Sequence, residues 1–341
     1  MCGIGGFSLS NKSKLNARTL SNALLAELDV RGGEASGYAV QTKDSTIVFK
    51  KNVAGAKLNL KRMPKNARVG ILHTRLATHG SPKDNANNHP VMSPDQSISL
   101  VHNGVIYNHK LVRTELQTKL PEVDSSVIPA ILEKYGRDIT QLSMLDGDAS
   151  VAWLDDNDKG TLRVARISHS PLTIAQLKDG SFVFASTEQI LNRALARLGL
   201  RAEFITQSTE RKLFEVRAGR IDSMLDLPET DPQFIDKSWS SSYGYYRNLT
   251  SGGHGYSESY EQSKIISSIW GDIYINSDWD YDPEEFGYDE LPTVEGLFWN
   301  EYGEYFSLEG EYVGTIYDLM EMGIVREDGS TIPYNELSRL W

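Results

Sequence analysis

Met1-Cys2-Gly3-Ile4-Gly5-Gly6-Phe7-Ser8 opens the chain, and the reading of the rest turns on this stretch. From Cys2 to Ser8 small and apolar residues alternate, then meet the turn-forming run Asn11-Lys12-Ser13, as in a β-strand. Cys2 is the sole cysteine of the 341 residues. A single thiol excludes a disulfide within the chain and argues against a cysteine-based zinc site. It fits a reducing compartment. Its position raises a chemical option. Cysteine is small enough for Met1 to be removed by methionine aminopeptidase, which would leave a free α-amine and a thiol on one residue. An α-amine has a pKa near ~8, so part of it is neutral at physiological pH and can take the thiol proton. That makes an amine-activated nucleophile. The plain alternative, a cysteine that happens to fall second, is favoured if position is the only ground. Gly3, Gly5 and Gly6 allow close backbone approach, and a tight strand start explains them equally well.

Outward from that strand, residues 15–28 place Leu20, Leu24, Leu25 and Leu28 at helical spacing. Gly37–Val40 and Thr46–Lys50 read as paired strands, and Val69–Thr74 and Ser97–Val101 as further strands. Leu111–Leu120 and Ser126–Lys134 read as helices. Ala149–Leu154, Thr161–Ile167, Leu172–Gln176 and Ser181–Ala185 read as an antiparallel series broken by Asp-Asn-Asp, Ser-Pro and Asp-Gly turns. Glu188–Leu198 is expected to be a helix, with two last strands after it. Strands outnumber helices, and short hairpins occur beside helical connections. An α+β layered sandwich fits this order better than a doubly wound sheet.

Five strings carry the remaining chemistry: Arg31-Gly-Gly-Glu-Ala-Ser-Gly37, Gly70-Ile-Leu-His-Thr-Arg-Leu-Ala-Thr-His-Gly80, Asn88-His89-Pro90, His102-Asn-Gly-Val-Ile-Tyr-Asn-His109 and Asp124-Ser-Ser-Val-Ile128. With Cys2-Gly3-Ile4, their order and approximate spacing resemble the glutaminase domain of class II glutamine amidotransferases. The pattern is most similar to that of glucosamine-6-phosphate synthase. The stretch 168–186 also resembles that family's Ser-Pro-Leu strand pair. The resemblance covers roughly residues 2–217.

It implies a four-layer αββα sandwich of two antiparallel sheets, of the N-terminal-nucleophile hydrolase type, and no cofactor. It also assigns roles. Cys2 attacks the side-chain amide of glutamine. Asn103, through its side-chain NH₂, and Gly104, through its backbone N–H, form the oxyanion hole. Arg75 pairs with the α-carboxylate through its planar fork, with Thr78 and His79 holding the same end. Asp124 takes the α-ammonium. Arg31 orders the backbone at the nucleophile, and His89 supports the loop. Two positions depart from the family pattern: Leu76 stands where the motif has an aromatic residue, and Glu34 where it has Asp. Both bear on the loop that closes over glutamine more than on the nucleophile.

Five of the seven histidines lie between positions 73 and 109. A metal site is the tempting reading, but no His-Glu-x-x-His spacing and no carboxylate cluster accompany them. His73, His102 and His109 read as structural histidines, and no metal is expected.

The net charge of −11 argues against general nucleic-acid binding and hides an asymmetry. Residues 1–220 hold 30 Lys+Arg against 21 Asp+Glu, and residues 221–341 hold 5 against 25. That division sets the expected boundary: a glutaminase-type domain at 2–220 and an acidic, aromatic-rich extension at 221–341. Ser238–Gly255 and Ser277–Asp289 read as flexible linker. Residues 295–341 are denser in apolar side chains and suggest a small module, with a helix at Val313–Met322 and a hairpin at Ile324–Ile332. No run of about 18 apolar residues is present to cross a membrane, and the start lacks the features of a secretory signal, so a cytoplasmic location is expected.

Residues 221–341 show no phosphate loop, sugar-isomerase-like run or nucleotide fingerprint. The expected partners are therefore glutamine as substrate and a separate ammonia-accepting synthase, without nucleic acid or membrane. Two other readings stay open: an amidohydrolase of a different γ-glutamyl amide, and a non-catalytic binding scaffold of the same fold.

Overall fold

Period-two alternation along the strands builds two sheets. In β2 (Ala35–Gln41), Tyr38 and Val40 enter one core while Ala39 enters another. In β7 (Gly147–Asp155), Val151 and Trp153 face one side, and Ala152 and Leu154 the other. Each sheet is therefore apolar on both faces and must be covered on both. The computed structural model in which this is seen describes residues 2–235, the backbone of three short strands at 297–299, 304–307 and 312–315, and Leu319.

The first sheet contains β1 (Gly3–Ser8), β2, β3 (Thr46–Lys51), β4 (Val69–Arg75), β9 (Thr173–Leu177), β10 (Phe182–Ala185) and β11 (Ala202–Gln207), in the order β11-β9-β10-β1-β4-β2-β3. The second contains β5 (Val91–Met92), β6 (Ile98–Ile106), β7, β8 (Thr161–Arg166), β12 (Lys212–Arg217) and β13 (Arg220–Asp226), in the order β13-β12-β8-β7-β6-β5. Neighbours in both sheets run antiparallel. The sheets meet face to face through Ile4, Ile71, Val101, Leu154, Val164, Phe184 and Phe214. On the outer face of the first sheet lie α1 (Ala17–Leu28) and α4 (Glu188–Ala196), and on the outer face of the second lie α2 (His109–Leu116) and α3 (Val127–Lys134). The architecture is the four-layer αββα sandwich that the family resemblance implies.

Helix α1 shows how sequence sets the layers. Asn16 caps it by accepting from the N–H groups of Arg18 and Thr19. Leu20, Leu24, Leu25 and Leu28 then bury completely or nearly so. Each buried leucine contributes about 1.5–3 kcal/mol, and truncation of one to alanine is expected to cost about 2–5 kcal/mol. The helix ends in a tight turn at Asp29–Arg31, where the Asp29 carboxylate accepts from Gly55 N at 2.6 Å and Ala56 N at 2.8 Å. This turn fixes Arg31 in space.

The sandwich runs past Arg220, where the domain boundary was expected. β13 pairs with β12 across a bulge at Glu215/Val216. Leu227 is buried in the second outer core, with Phe234 packed on it. Asn108 Nδ2 donates to Phe234 O at 2.7 Å, and Thr230 Oγ1 to Leu145 O at 2.8 Å.

A second unit begins after Ile275 and is described by itself. Its described backbone is a three-stranded antiparallel sheet of β14 (Leu297–Trp299), β15 (Glu304–Ser307) and β16 (Tyr312–Thr315). The helix expected over Val313–Met322 is corrected over Val313–Thr315. There the aromatic and β-branched residues of Tyr312-Val-Gly-Thr315 favour a strand, and β15 offers a paired edge. The flexible segments expected at Ser238–Gly255 and Ser277–Asp289, and the hairpin at Ile324–Ile332, lie outside the described residues. Among the described residues no helix is long and apolar enough to cross a membrane.

Candidate active site

The register of β1 on β4 places the nucleophile candidate. Gly3 pairs with Thr74, so the next residues outward are Cys2 on one strand and Arg75 on the other. Arg75 also ends the β2–β4 ladder, opposite Ala35. Two side-chain interactions hold this corner. Arg31 Nε donates to the backbone carbonyl of Cys2 at 3.0 Å, and Thr74 Oγ1 donates to Leu28 O at 2.7 Å. Gly32 is required here, because a Cβ at that position would come within 2.5 Å of the Arg75 carbonyl carbon and of Leu76 N.

The Cys2 thiol donates to Leu76 O at 3.4 Å. Burial pushes its pKa up, with the Arg75 cation pulling against that rise and Asp124 adding to it. The thiol thus shares an electrostatic environment with both expected substrate-binding charges. A thiol held protonated needs a base before it can attack.

Arg75 is 2% exposed, yet three of its N–H groups are already engaged. Nη1 donates to Asn88 Oδ1 at 2.9 Å, and Nη2 donates to Gly80 O at 2.8 Å and to His79 O. The guanidinium therefore bends residues 76–80 around itself and ties them to the 85–90 turn. Glu34 Oε2 latches the same loop by accepting from Ala77 N at 2.6 Å. Thr78 lies exposed on this loop, and Leu76 is exposed as well. His79 stands with Nδ1 3.9 Å from Asp124 Oδ1 and meets His109 edge-on at 4.8 Å.

Asp124 opens the tight turn Asp124–Ser126 and is 2% exposed. Its Oδ2 accepts from Ile106 N at 2.8 Å, which fixes it beside the C-terminal end of β6. Two residues of that strand differ from their surroundings. Gly104 has φ +137, and a Cβ on it would come within 1.8 Å of Asp148 O, so only glycine fits. Asn103 is 1% exposed, and both its Oδ1 and Nδ2 are buried without a hydrogen-bond partner among the described residues. An amide left in that state costs on the order of 1–3 kcal/mol. Such an orphan calls for an explanation such as a catalytic role.

Four histidines, His73, His89, His102 and His109, are buried, and burial lowers the pKa of each. His73 Nε2 meets the carbonyl of His102 at 3.0 Å and therefore donates. Burial pulls its pKa down to about 3. His89 stacks on His73 with ring centres 4.0 Å apart, both its ring nitrogens lack a hydrogen-bond partner among the described residues, and burial holds its pKa well below the usual histidine value. His102 Nε2 faces Asp148 O at 3.3 Å and His109 Nδ1 faces Ile106 O at 2.9 Å. Among the described residues no group of three or more His, Cys, Asp or Glu is arranged to hold a metal.

The structure thus gathers Cys2, Arg31, Arg75, His79 and Asp124 around one end of the first sheet, while the His89 ring packs on His73 of β4. It shows Asn103 and Gly104 as the two unusual positions of β6. Sequence reasoning passed over three contributors. In the sequence Glu34 stands only as a departure, Asn88 only as part of a string, and Lys50 only as the end of a strand. Lys50 Nζ donates to Asn88 O at 2.6 Å and Pro90 O at 3.0 Å, and its pKa is pulled down to about 8, chiefly by burial. An isolated lysine in a strand carries no signal that would have marked it.

A family model for the glutamine amidotransferase domain matches residues 61–222. The chain is 29% identical over 280 residues to the glutamine–fructose-6-phosphate aminotransferase (isomerizing) of Clostridium acetobutylicum, covering 78% of this chain and 43% of that protein. It is 34% identical over 220 residues to the enzyme of the same name from Geobacillus kaustophilus, covering 60% and 34%. This chain carries a class II glutamine amidotransferase domain. It spans less than half the length of those relatives. The amidotransferase domain also shares its fold with glutamine phosphoribosylpyrophosphate amidotransferase from B. subtilis, at a TM-score of 0.54 and 18% identity, covering 68% of this chain and 50% of that one.

Proposed function

We propose that the amidotransferase domain hydrolyses the side-chain amide of glutamine through a γ-glutamyl thioester on Cys2 and releases ammonia. The observation that carries this reading is the Asn103 side chain, buried in β6 with neither its donor nor its acceptor used among the described residues. An amide in that state is suited to receive charge that exists only during reaction, and it needs no reorganisation to do so.

Removal of Met1 makes the α-amine of Cys2 available as base. The amine takes the thiol proton, directly or through a water, and the sulfur attacks the amide carbon. The oxyanion is met by Asn103 Nδ2–H and Gly104 N–H. The protonated amine gives its proton to the leaving nitrogen as the C–N bond breaks, so ammonia departs and the thioester remains. Water then cleaves the thioester to glutamate and restores the thiol.

Asp124 takes the α-ammonium of the substrate and Arg75 its α-carboxylate, with Thr78 and His79 beside it. Because Arg75 already donates to the carbonyls of residues 79 and 80, bidentate pairing requires the 76–80 loop to exchange those carbonyls for the carboxylate. Loop closure and substrate binding are one event in this scheme.

The ammonia so released is available to a synthase that uses it for amination. The experiment is ammonia release from glutamine by the wild-type chain and by Cys2→Ala. Activity in the first and none in the folded second is expected. Equal turnover by Cys2→Ala would remove Cys2 as nucleophile.

A further inference from the structure

His102 and Ser125 meet in the interior, 1% and 2% exposed, with His102 Nδ1 2.8 Å from Ser125 Oγ. The other ring nitrogen decides how that bond runs. Nε2 faces the backbone carbonyl of Asp148 at 3.3 Å, and a carbonyl only accepts, so Nε2 carries the proton. Burial lowers the pKa of the ring and favours its neutral form, in which Nδ1 accepts and the Ser125 hydroxyl donates.

Each end of this bond borders a group that acts on substrate in the reading above. His102 immediately precedes Asn103 and Gly104 on β6. Ser125 immediately follows Asp124 in the Asp124–Ser126 turn. The Asp148 carbonyl that accepts from His102 is also the atom against which Gly104 packs without room for a Cβ. The backbone carbonyl of His102 in turn accepts from His73, two residues before Arg75 on β4. One residue therefore joins the oxyanion strand, the ammonium-binding turn and the carboxylate-binding strand.

We propose that His102 and Ser125 are positioning residues, whose mutual hydrogen bond sets the separation between the oxyanion donors Asn103 and Gly104 and the ammonium acceptor Asp124. The proposal rests on the glutaminase reading. Glutamine spans a fixed number of bonds between its amide carbon and its ammonium. Binding at one end places the amide correctly at the other only if that separation is held. Without the bond both ends still bind, but the oxyanion forms out of register with its donors. The loss therefore falls on the transition state and leaves ground-state binding nearly intact.

The test is steady-state ammonia release by the full chain, with each preparation titrated by a γ-electrophilic glutamine analogue that labels Cys2. Rates are thus expressed per competent thiol, and a fall in folded fraction does not register. Ser125→Ala removes the hydroxyl and leaves no larger group behind. His102→Gln removes the Nδ1 acceptor while retaining an amide donor for Asp148 O. Each is expected to lower kcat per labelled thiol about tenfold with KM within about twofold, the effect of losing one buried hydrogen bond in the transition state. The double variant is expected to be no slower than the slower single, because both remove the same bond. Unchanged kcat per labelled thiol in Ser125→Ala, a loss carried by KM, or multiplicative losses in the double variant would overturn the proposal alone. A wild-type chain that labels at Cys2 yet releases no ammonia from glutamine would overturn the underlying reading, and the proposal with it.

Discussion

Arg31 Nε donates to the backbone carbonyl of Cys2 at 3.0 Å, so the residue that carries the proposed nucleophile is gripped by its main chain, in a contact the thiol takes no part in. The turn Asp29–Arg31 supplies the grip, and the Asp29 carboxylate fixes the turn. Arg31→Met keeps much of the side-chain volume and loses the donor. It is expected to lower kcat for glutamine about tenfold or more with little change in KM, because misplacing a nucleophile by a fraction of an ångström penalises the reacting geometry. Initial rates of ammonia release check this, and a variant that changes only KM would place Arg31 in substrate binding.

Asn103→Ala tests the orphaned amide. The expected loss is on the order of 10²–10³ in kcat, the usual effect of removing one oxyanion donor, with KM nearly unchanged. Stability should not fall, and a slight rise is expected, because the substitution deletes a buried amide that has no hydrogen-bond partner among the described residues. Thermal unfolding beside the kinetics separates the two effects. A variant that is both less stable and normally active would show that the amide is structural.

Acid sensitivity follows from the buried histidines. The pKa of His73 is pulled down to about 3, His89 is well below its ordinary value, and His102 is lowered, all three chiefly by burial. In the unfolded chain each titrates near ~6.5. The unfolded state thus binds more protons below that pH, and the stability these groups contribute is complete above it and lost as pH falls towards the folded values. Each contributes a slope of up to about 1.4 kcal/mol per pH unit. Urea unfolding between about pH 7.5 and pH 5 should show falling stability. His73→Gln, which keeps a donor for His102 O, should flatten the curve. A pH-independent midpoint in the wild type would contradict the burial of these rings.

The C-terminal limit of the catalytic domain can be tested by truncation. We place it after Ile235, because β13 completes the second sheet and Leu227 and Phe234 pack on its outer core. A chain ending at Arg220 is expected to lose more than about 3 kcal/mol through the lost strand pairing and the uncovered core. A chain ending at Ile235 is expected to keep the melting temperature of the domain and its glutamine hydrolysis. Equal stability of the two truncations would return the boundary to Arg220.

Much of this was legible in the sequence, and the exceptions have physical causes. β1, β2, β4 and β7 announce themselves because each is apolar on alternate sides and buried on both faces. β13 does not. Arg220-Ile-Asp-Ser-Met-Leu-Asp226 is a largely exposed edge strand, held by backbone pairing to β12 and little else, so it lacks the apolar rhythm that marks an inner strand. Helix α2 starts at His109 and stops at Leu116, where Gln117 turns left-handed with φ 53. The apolar spacing suggested Leu111–Leu120, because Leu120 belongs to the same core although it lies beyond the helix.

At the site, the candidates Cys2, Arg75, Asn103 and Asp124 stand out in the sequence because their type is rare or their string is long. Contacts were not readable. Nothing in the sequence says that Glu34 latches Ala77, that Arg75 spends its donors on carbonyls of its own loop, or that Ser125 reaches His102. Those pairings depend on which strands become neighbours.

The central claim is that Cys2 acts as an N-terminal residue, supplying sulfur and base together. The most direct measurement is the intact mass of chain purified from cells and quenched in acid during turnover of glutamine, followed by peptide mapping of its first residues. The expected result is a chain lacking Met1, with a fraction carrying one additional γ-glutamyl group on Cys2 that disappears once glutamine is exhausted. A chain that retains Met1 and releases ammonia at full rate, or that turns over with no adduct on Cys2 under any quench, would contradict it.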